Sequence, residues 1–106
     1  MIEEILTAAD IPAQAARFPD ADHVEVFAIT FDSVTADGPD DSIGILTHDG
    51  TVELYASTIS AGDTAKQRLE AELGARGLHY TTQGWYWLQE IRRYQEILEF
   101  TYHEKI

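Results

Sequence analysis

The chain is 106 residues long, 44% hydrophobic and 25% charged, which fits one globular domain with a single modest core and argues against wholesale disorder. It contains no cysteine, which excludes disulfides, thiolate nucleophiles and cysteine metal sites. Nineteen acidic residues against seven basic ones leave a formal charge of −12, a surface that repels DNA, RNA and anionic membranes and argues against sequence-specific nucleic-acid binding.

The start, Met1-Ile-Glu-Glu-Ile-Leu6, carries acidic residues where a secretory signal carries basic ones. No apolar run approaches the roughly 18–20 residues that span a bilayer. A soluble chain, made in the cytoplasm, not exported through a cleaved signal and without a membrane partner, is expected. Ile2, Ile5, Leu6 and Ala9 recur at helical spacing, with Glu3 and Glu4 in the first turn where the helix dipole favours them. This predicts a short helix over residues 2–8 that Asp10-Ile11-Pro12 ends. Ala13 to Arg17 fits either another helical turn or an extended segment, and Phe18-Pro19-Asp20 a turn.

His23 to Phe31 is the clearest strand, with apolar residues on both faces after its first turn, as in a central strand covered on both sides. Asp32 to Asp41 is rich in turn formers and reads as a loop. Ser42–His48 and Thr51–Ser57 flank Asp49-Gly50, which predicts a hairpin with its tip at 48–51. Gly44 fits a bulge in the first arm. Downstream, Ala65, Leu69 and Leu73 form the stripe of a well-formed helix, which Ser60 or Asp63 could cap and which Gly74 and Gly77 end. Leu78 to Thr82 reads as a strand and Gln83-Gly84 as a turn.

The last third holds both tryptophans and four of the five tyrosines, a density of aromatic area at which a core is completed. Its pattern is ambiguous: Trp87, Ile91, Tyr94 and Leu98 also fit a helical stripe, so period alone does not separate strand from helix. Within Trp85-Tyr86-Trp87, a strand would put both tryptophans on one face, as core or as an aromatic binding or interface surface. Arg92-Arg93 is the one adjacent basic pair, and an exposed arginine there could anchor an acidic neighbour.

Chemistry-bearing motifs are sparse. His23, His48, His79 and His103 stand singly, without spacing that places two imidazoles on one metal. Asp37, Asp40 and Asp41 lack the order of a calcium loop, so a turn-rich acidic loop is the better reading. No nucleophile elbow, phosphate loop or dinucleotide fingerprint is present. A non-enzymatic protein without a cofactor is expected; convergence of His23, His48 or His103 with carboxylates would reopen an enzymatic reading.

The order of segments carries more. Ile11-Pro12 and Arg17-Phe18-Pro19 precede an apolar strand ending at Phe31, then Asp32-Ser-Val-Thr-Ala-Asp-Gly38 and Val52-Glu-Leu-Tyr55. Next come Arg68-Leu-Glu-Ala-Glu-Leu73 and Gly77-Leu-His-Tyr80, and the chain closes with Trp85-Tyr-Trp-Leu-Gln-Glu90 and Tyr94-Gln-Glu-Ile-Leu-Glu-Phe100. This pattern resembles small tailed-phage and prophage proteins of the head–tail joining region, and more distantly tail-terminator (tail-completion) minor structural proteins. The sequence departs from the family pattern between Gly38 and Val52, where it is longer, and at Asp49-Gly50, where the family has continuous strand.

The resemblance implies an α+β fold, a mainly antiparallel sheet packed with two helices, with strands near Trp85–Leu88 and Arg92–His103. It implies a virion structural role as a ring-forming homo-oligomer on tail-tube or neck proteins, with no catalytic residue to carry over. Loops carry recognition on a rigid sheet, so Asp32, Asp37, Asp40, Asp41 and Asp49 are the expected contact residues, with Trp85, Trp87 and Arg92 beside them. The rival is a monomeric small-ligand or peptide-binding module on the Trp85/Trp87 face.

Overall fold

The computed structural model describes residues 1–15, 25–37 and 44–105. Two helices, α1 (Ile2–Ala8) and α2 (Ile59–Ala75), pack on one face of a sheet built from β1 (Ala13–Ala15), β2 (Val26–Asp37), β3 (Ile45–Ala56), β4 (Tyr80–Thr82), β5 (Tyr86–Leu88) and β6 (Arg93–Lys105). The strand order is β1-β2-β3-β6-β4, with β5 also on β6. Among the described residues only the β1–β2 pair is parallel; the others are antiparallel. This is the expected α+β architecture, and the aromatic C-terminal segment forms strands.

Both helices end in the same way. Past α1, Asp10 adopts φ 58°, the Ile11 amide returns to the Leu6 carbonyl at 3.0 Å and the Asp10 amide to Thr7 at 3.1 Å. Past α2, the Leu78 amide reaches Leu73 at 2.9 Å and the Gly77 amide reaches Gly74 at 3.0 Å. These are Schellman closures, each followed by an apolar residue, Ile11 or Leu78, packed into the core. The α2 N-cap is Thr58, whose Oγ1 accepts from the Ala61 amide at 3.1 Å. Ser60 and Asp63 therefore lie inside the helix, two and five residues after its cap.

The largest departure from expectation is at Asp49-Gly50. β3 runs unbroken from Ile45 to Ala56, pairing along its whole length with β2 and β6. Gly50 is buried opposite Phe100, and a Cβ there would stand 2.8 Å from the Phe100 ring and 3.1 Å from Ile2 Cδ1. The glycine is required by an aromatic ring lying across the strand, so tertiary packing overrides the local turn signal. Gly44 lies just before β3 and makes no bulge within it. The loop expected at Asp32–Asp41 is strand as far as Asp37, because residues 32–37 pair with the unbroken β3, while Asp40 and Asp41 lie outside the described residues. The first strand begins at Val26 within the described residues; His23 and Val24 lie outside them, as does the Phe18-Pro19-Asp20 turn. Ala13–Ala15 takes the extended alternative.

β4 and β5 together form an interrupted edge. Thr82 pairs with Leu98 and Tyr86 with Gln95, so Gln83, Gly84 and Trp85 stand opposite two residues, Glu96 and Ile97. This bulge, with Gly84 at φ 93°, directs Trp85 beneath α2. Gly62 of α2 faces it so closely that a Cβ would meet the indole at 2.5 Å. Trp85 Nε1 donates to Asp63 Oδ1 at 2.7 Å.

The helix-facing core joins Ile5, Leu6, Ala28, Val52, Leu54, Leu69, Leu73, Leu98 and Phe100. Within it Glu96 is fully buried, with Lys66 Nζ 3.0 Å from its Oε1. Its carboxylate makes no other hydrogen bond among the described residues. On the opposite face Phe27, Ile29 and Tyr55 form a second cluster, so β2 is buried on both sides over residues 27–30, as a central strand. We predict that Lys66→Met costs about 3–5 kcal/mol, because it strands a buried carboxylate, whereas Lys66→Met with Glu96→Leu recovers most of that loss. Urea unfolding checks both; a double variant as unstable as the single one contradicts it.

Candidate functional site

β2, β3 and β6 share two 12-residue ladders, a length of roughly 40 Å at strand rise. Their rows run from Val26–Ala56–Tyr94 at one end to Asp37–Ile45–Lys105 at the other. Among the described residues the shorter strands stop partway. β1 pairs with β2 only to Thr30, and β4 pairs with β6 only as far as Phe100. Beyond those points, Phe31–Asp37 and Thr101–Lys105 form the two outer edges of a three-stranded ribbon, unpaired on their outer sides among the described residues.

The helix layer also ends before the ribbon does. Phe31 to Thr35 are all exposed, and Phe31, Val34 and Ile45 are among the large apolar side chains left open to solvent. A groove of about 740 Å³ runs past the start of α1, lined by Met1 and Glu3 together with Phe31, Asp32 and Asp49. At the other end of the sheet, Tyr86, Trp87 and Ile91 are exposed.

Of the expected contact residues, Asp32 sits on the ribbon and Asp37 at its far end, facing Ile45 in the ladder. Asp49 is in mid-strand rather than at a tip, and its Oδ1 accepts from Thr101 Oγ1 at 2.8 Å. Trp85 is half-buried under α2, and only Trp87 of the two is exposed, lying edge-on to Tyr94 at 4.8 Å with its Nε1 donating to Gln89 at 2.9 Å. Arg92 is exposed in the β5–β6 turn at φ 52°. Arg93 lies over the Phe27 ring at 4.9 Å and donates to the Glu25 carbonyl at 3.1 Å. Asp32, Asp37 and Asp49 thus lie away from the end of the sheet that holds the tryptophans and form no common site with them.

The ribbon also brings together residues that sequence reading kept apart. His48 Nδ1 stands 3.3 Å from Asp32 Oδ2 on β2, and its Nε2 stands 3.0 Å from Glu104 Oε1 on β6. The Tyr102 ring, directly opposite in the ladder, stacks on the imidazole at 4.4 Å and 8°. The hydrogen bond with Glu104 raises the His48 pKa against the opposing effect of desolvation, and the bond with Asp32 raises it further. Burial does the same for the Tyr102 hydroxyl, with Asp32, Glu104 and Glu4 adding to it.

This is the convergence of histidine and carboxylates that would reopen an enzymatic reading, but its geometry is that of a bridge. Both ring nitrogens already face carboxylates, which leaves no free lone pair to take a substrate proton. Among the described residues no group of His, Asp and Glu is arranged to hold a metal ion, and no helix is long and apolar enough to cross a membrane. Reading β3 as continuous would have exposed the cluster, since same-face alternation then aligns His48 with Tyr102. The assumed turn concealed it.

Compared with protein-family models and with curated proteins, the chain matches none. The two tryptophans are predicted to behave differently. Trp85→Ala should cost about 3 kcal/mol through lost packing on Gly62, and Trp87→Ala less than about 1 kcal/mol. Acrylamide quenching of the single-tryptophan variants Trp85→Phe and Trp87→Phe checks the same difference, with the protected emission coming from Trp85.

Proposed function

We propose that this chain is a non-enzymatic structural subunit of a tailed-phage or prophage particle, a tail-terminator or head–tail joining protein that acts by oligomerising and docking on tail-tube or neck proteins. The resemblance in segment order supplies the phage context, and the α+β fold agrees with what that resemblance implied. The observation that carries the reading is the ribbon. Two different strand edges, 31–37 and 101–105, stand open at the same end of one sheet among the described residues, with exposed apolar side chains beside them.

Open edges are templates for strand addition by another chain. β2 and β6 both run antiparallel to β3 and hence parallel to each other. Joining the β2 edge of one subunit to the β6 edge of the next is a head-to-tail contact, which closes into a ring when the rotation allows. Such a subunit is synthesised in the host cytoplasm and carried into the virion, and its acidic surface suits a passage through which DNA slides without sticking. The small-ligand module on Trp85 and Trp87 has less support, because Trp85 is half-buried beneath α2 with its Nε1 already donating to Asp63.

Val34 is exposed in the middle of the β2 edge, so Val34→Glu is predicted to weaken self-association by about tenfold or more through desolvated charge at the contact. Far-UV circular dichroism of the variant should stay unchanged. Light scattering over a wide concentration range, with negative-stain imaging, checks this. Native protein that stays monomeric and also fails to bind purified tail tubes contradicts the proposal.

A further inference from the structure

The ribbon places three acidic or titratable side chains on one face of three adjacent strands. His48 on β3 is bridged to Asp32 on β2 and to Glu104 on β6, on the opposite face of the ribbon from the Thr101–Asp49 and Thr47–His103 links that join β3 to β6. Only an imidazolium donates from both ring nitrogens. A neutral ring donates from one and turns a lone pair towards the other carboxylate. The protonation state of His48 therefore decides whether the bridge has two attractive arms or one attractive and one repulsive.

We propose that Asp32, His48 and Glu104 form a proton-operated clasp that locks the three strands of the ribbon together while His48 is charged and loosens them when it is neutral. Asp32 faces the His48 ring from β2, Glu104 and Tyr102 from β6, and Glu4 of α1 acts on Tyr102. Among the described residues, the salt bridges of Asp32 and Glu104 run only to His48, so loss of its proton leaves two carboxylates flanking an uncharged ring. Tyr102 stacks flat on that ring and keeps it in the plane where both arms reach.

The direction of the effect follows from the bridge. The Glu104 bond raises the folded-state pKa of His48 above 6.5. The clasp's stabilisation is then complete below the unfolded value and is lost as pH rises through the higher folded one. The clasp is a property of the folded chain and stands or falls independently of any role in assembly.

The test is an NMR titration of the full chain, with thermal unfolding, between about pH 5.5 and pH 8.5. The His48 Cε1 resonance should titrate above 6.5, and the amide signals of Val34, Leu46 and Tyr102 should shift with the same midpoint. The thermal midpoint should fall as pH rises through it. His48→Gln should remove that fall, whereas His103→Gln, on the other face of β6, should keep it. A His48 midpoint at or below the free-imidazole value, or ribbon amides that do not follow it, overturns the clasp even if the His48 variant fails to fold. A folded His48→Gln protein with the native pH dependence overturns it as well.

Discussion

Lys66 reaches from α2 into the sheet to meet Glu96, and the way the two layers fit follows from keeping those charges in contact. A fully buried carboxylate with one cationic partner returns little net stability compared with an apolar pair of the same volume, yet it strands a charge if α2 rotates or slides. The neighbouring contacts lie on the same stripe. Asp63 accepts from Trp85, Lys66 meets Glu96 and Glu70 accepts from Tyr80 at 2.7 Å, at the i, i+3, i+7 spacing of one helix face. Beside it, Gly62, Ala65, Leu69 and Leu73 are buried and supply the apolar area. Arg68 Nε donates to the Ala9 carbonyl at 2.7 Å, which ties α1 to the same arrangement.

That seating has a consequence at a distance. With α2 anchored over Leu54 and Leu98 and α1 over Gly50, the helices cover one part of the sheet, and the remainder of β2, β3 and β6 runs on without them. The molecule is accordingly long and narrow, 49 by 26 by 22 Å. The uncovered ribbon is held by its backbone ladders and by short side-chain links. His48 connects it on the helix side, while Thr101–Asp49 and Thr47–His103, at 3.1 Å, link β3 to β6 on the other. A ribbon of this kind has much surface for its mass and, among the described residues, two edges unpaired on their outer sides.

Much of the body was legible in the sequence. Ile2, Ile5 and Leu6 marked α1, Ala65, Leu69 and Leu73 marked α2, and the β-branched and aromatic alternation marked the buried part of β2. These signals are local, and packing agrees with them. The ribbon was not legible because its determinants are pairwise and distant. Gly50 looks like half of a turn until Phe100 is laid across it, and Asp32 looks like a loop residue until it is opposite Gly50 in a ladder. The turn assigned at Asp49-Gly50 put His48 at a hairpin tip and hid both its partners. Lys66 and Glu96 were concealed similarly, each a charged residue within a stripe that the apolar pattern alone describes well. For the C-terminal third, where helical and strand periods competed, the resemblance resolved towards strands and the structure agrees.

The central claim is that the open edges of the ribbon are where this chain meets its neighbours. Amide hydrogen exchange compared between dilute and concentrated protein, or with and without purified tail tubes, tests it most directly. The account predicts that amides in 31–37 and 101–105 gain protection on association while those of Leu54 and Leu98 stay as they were. Association that protects other surfaces and leaves both ribbon edges exchanging as before would contradict it.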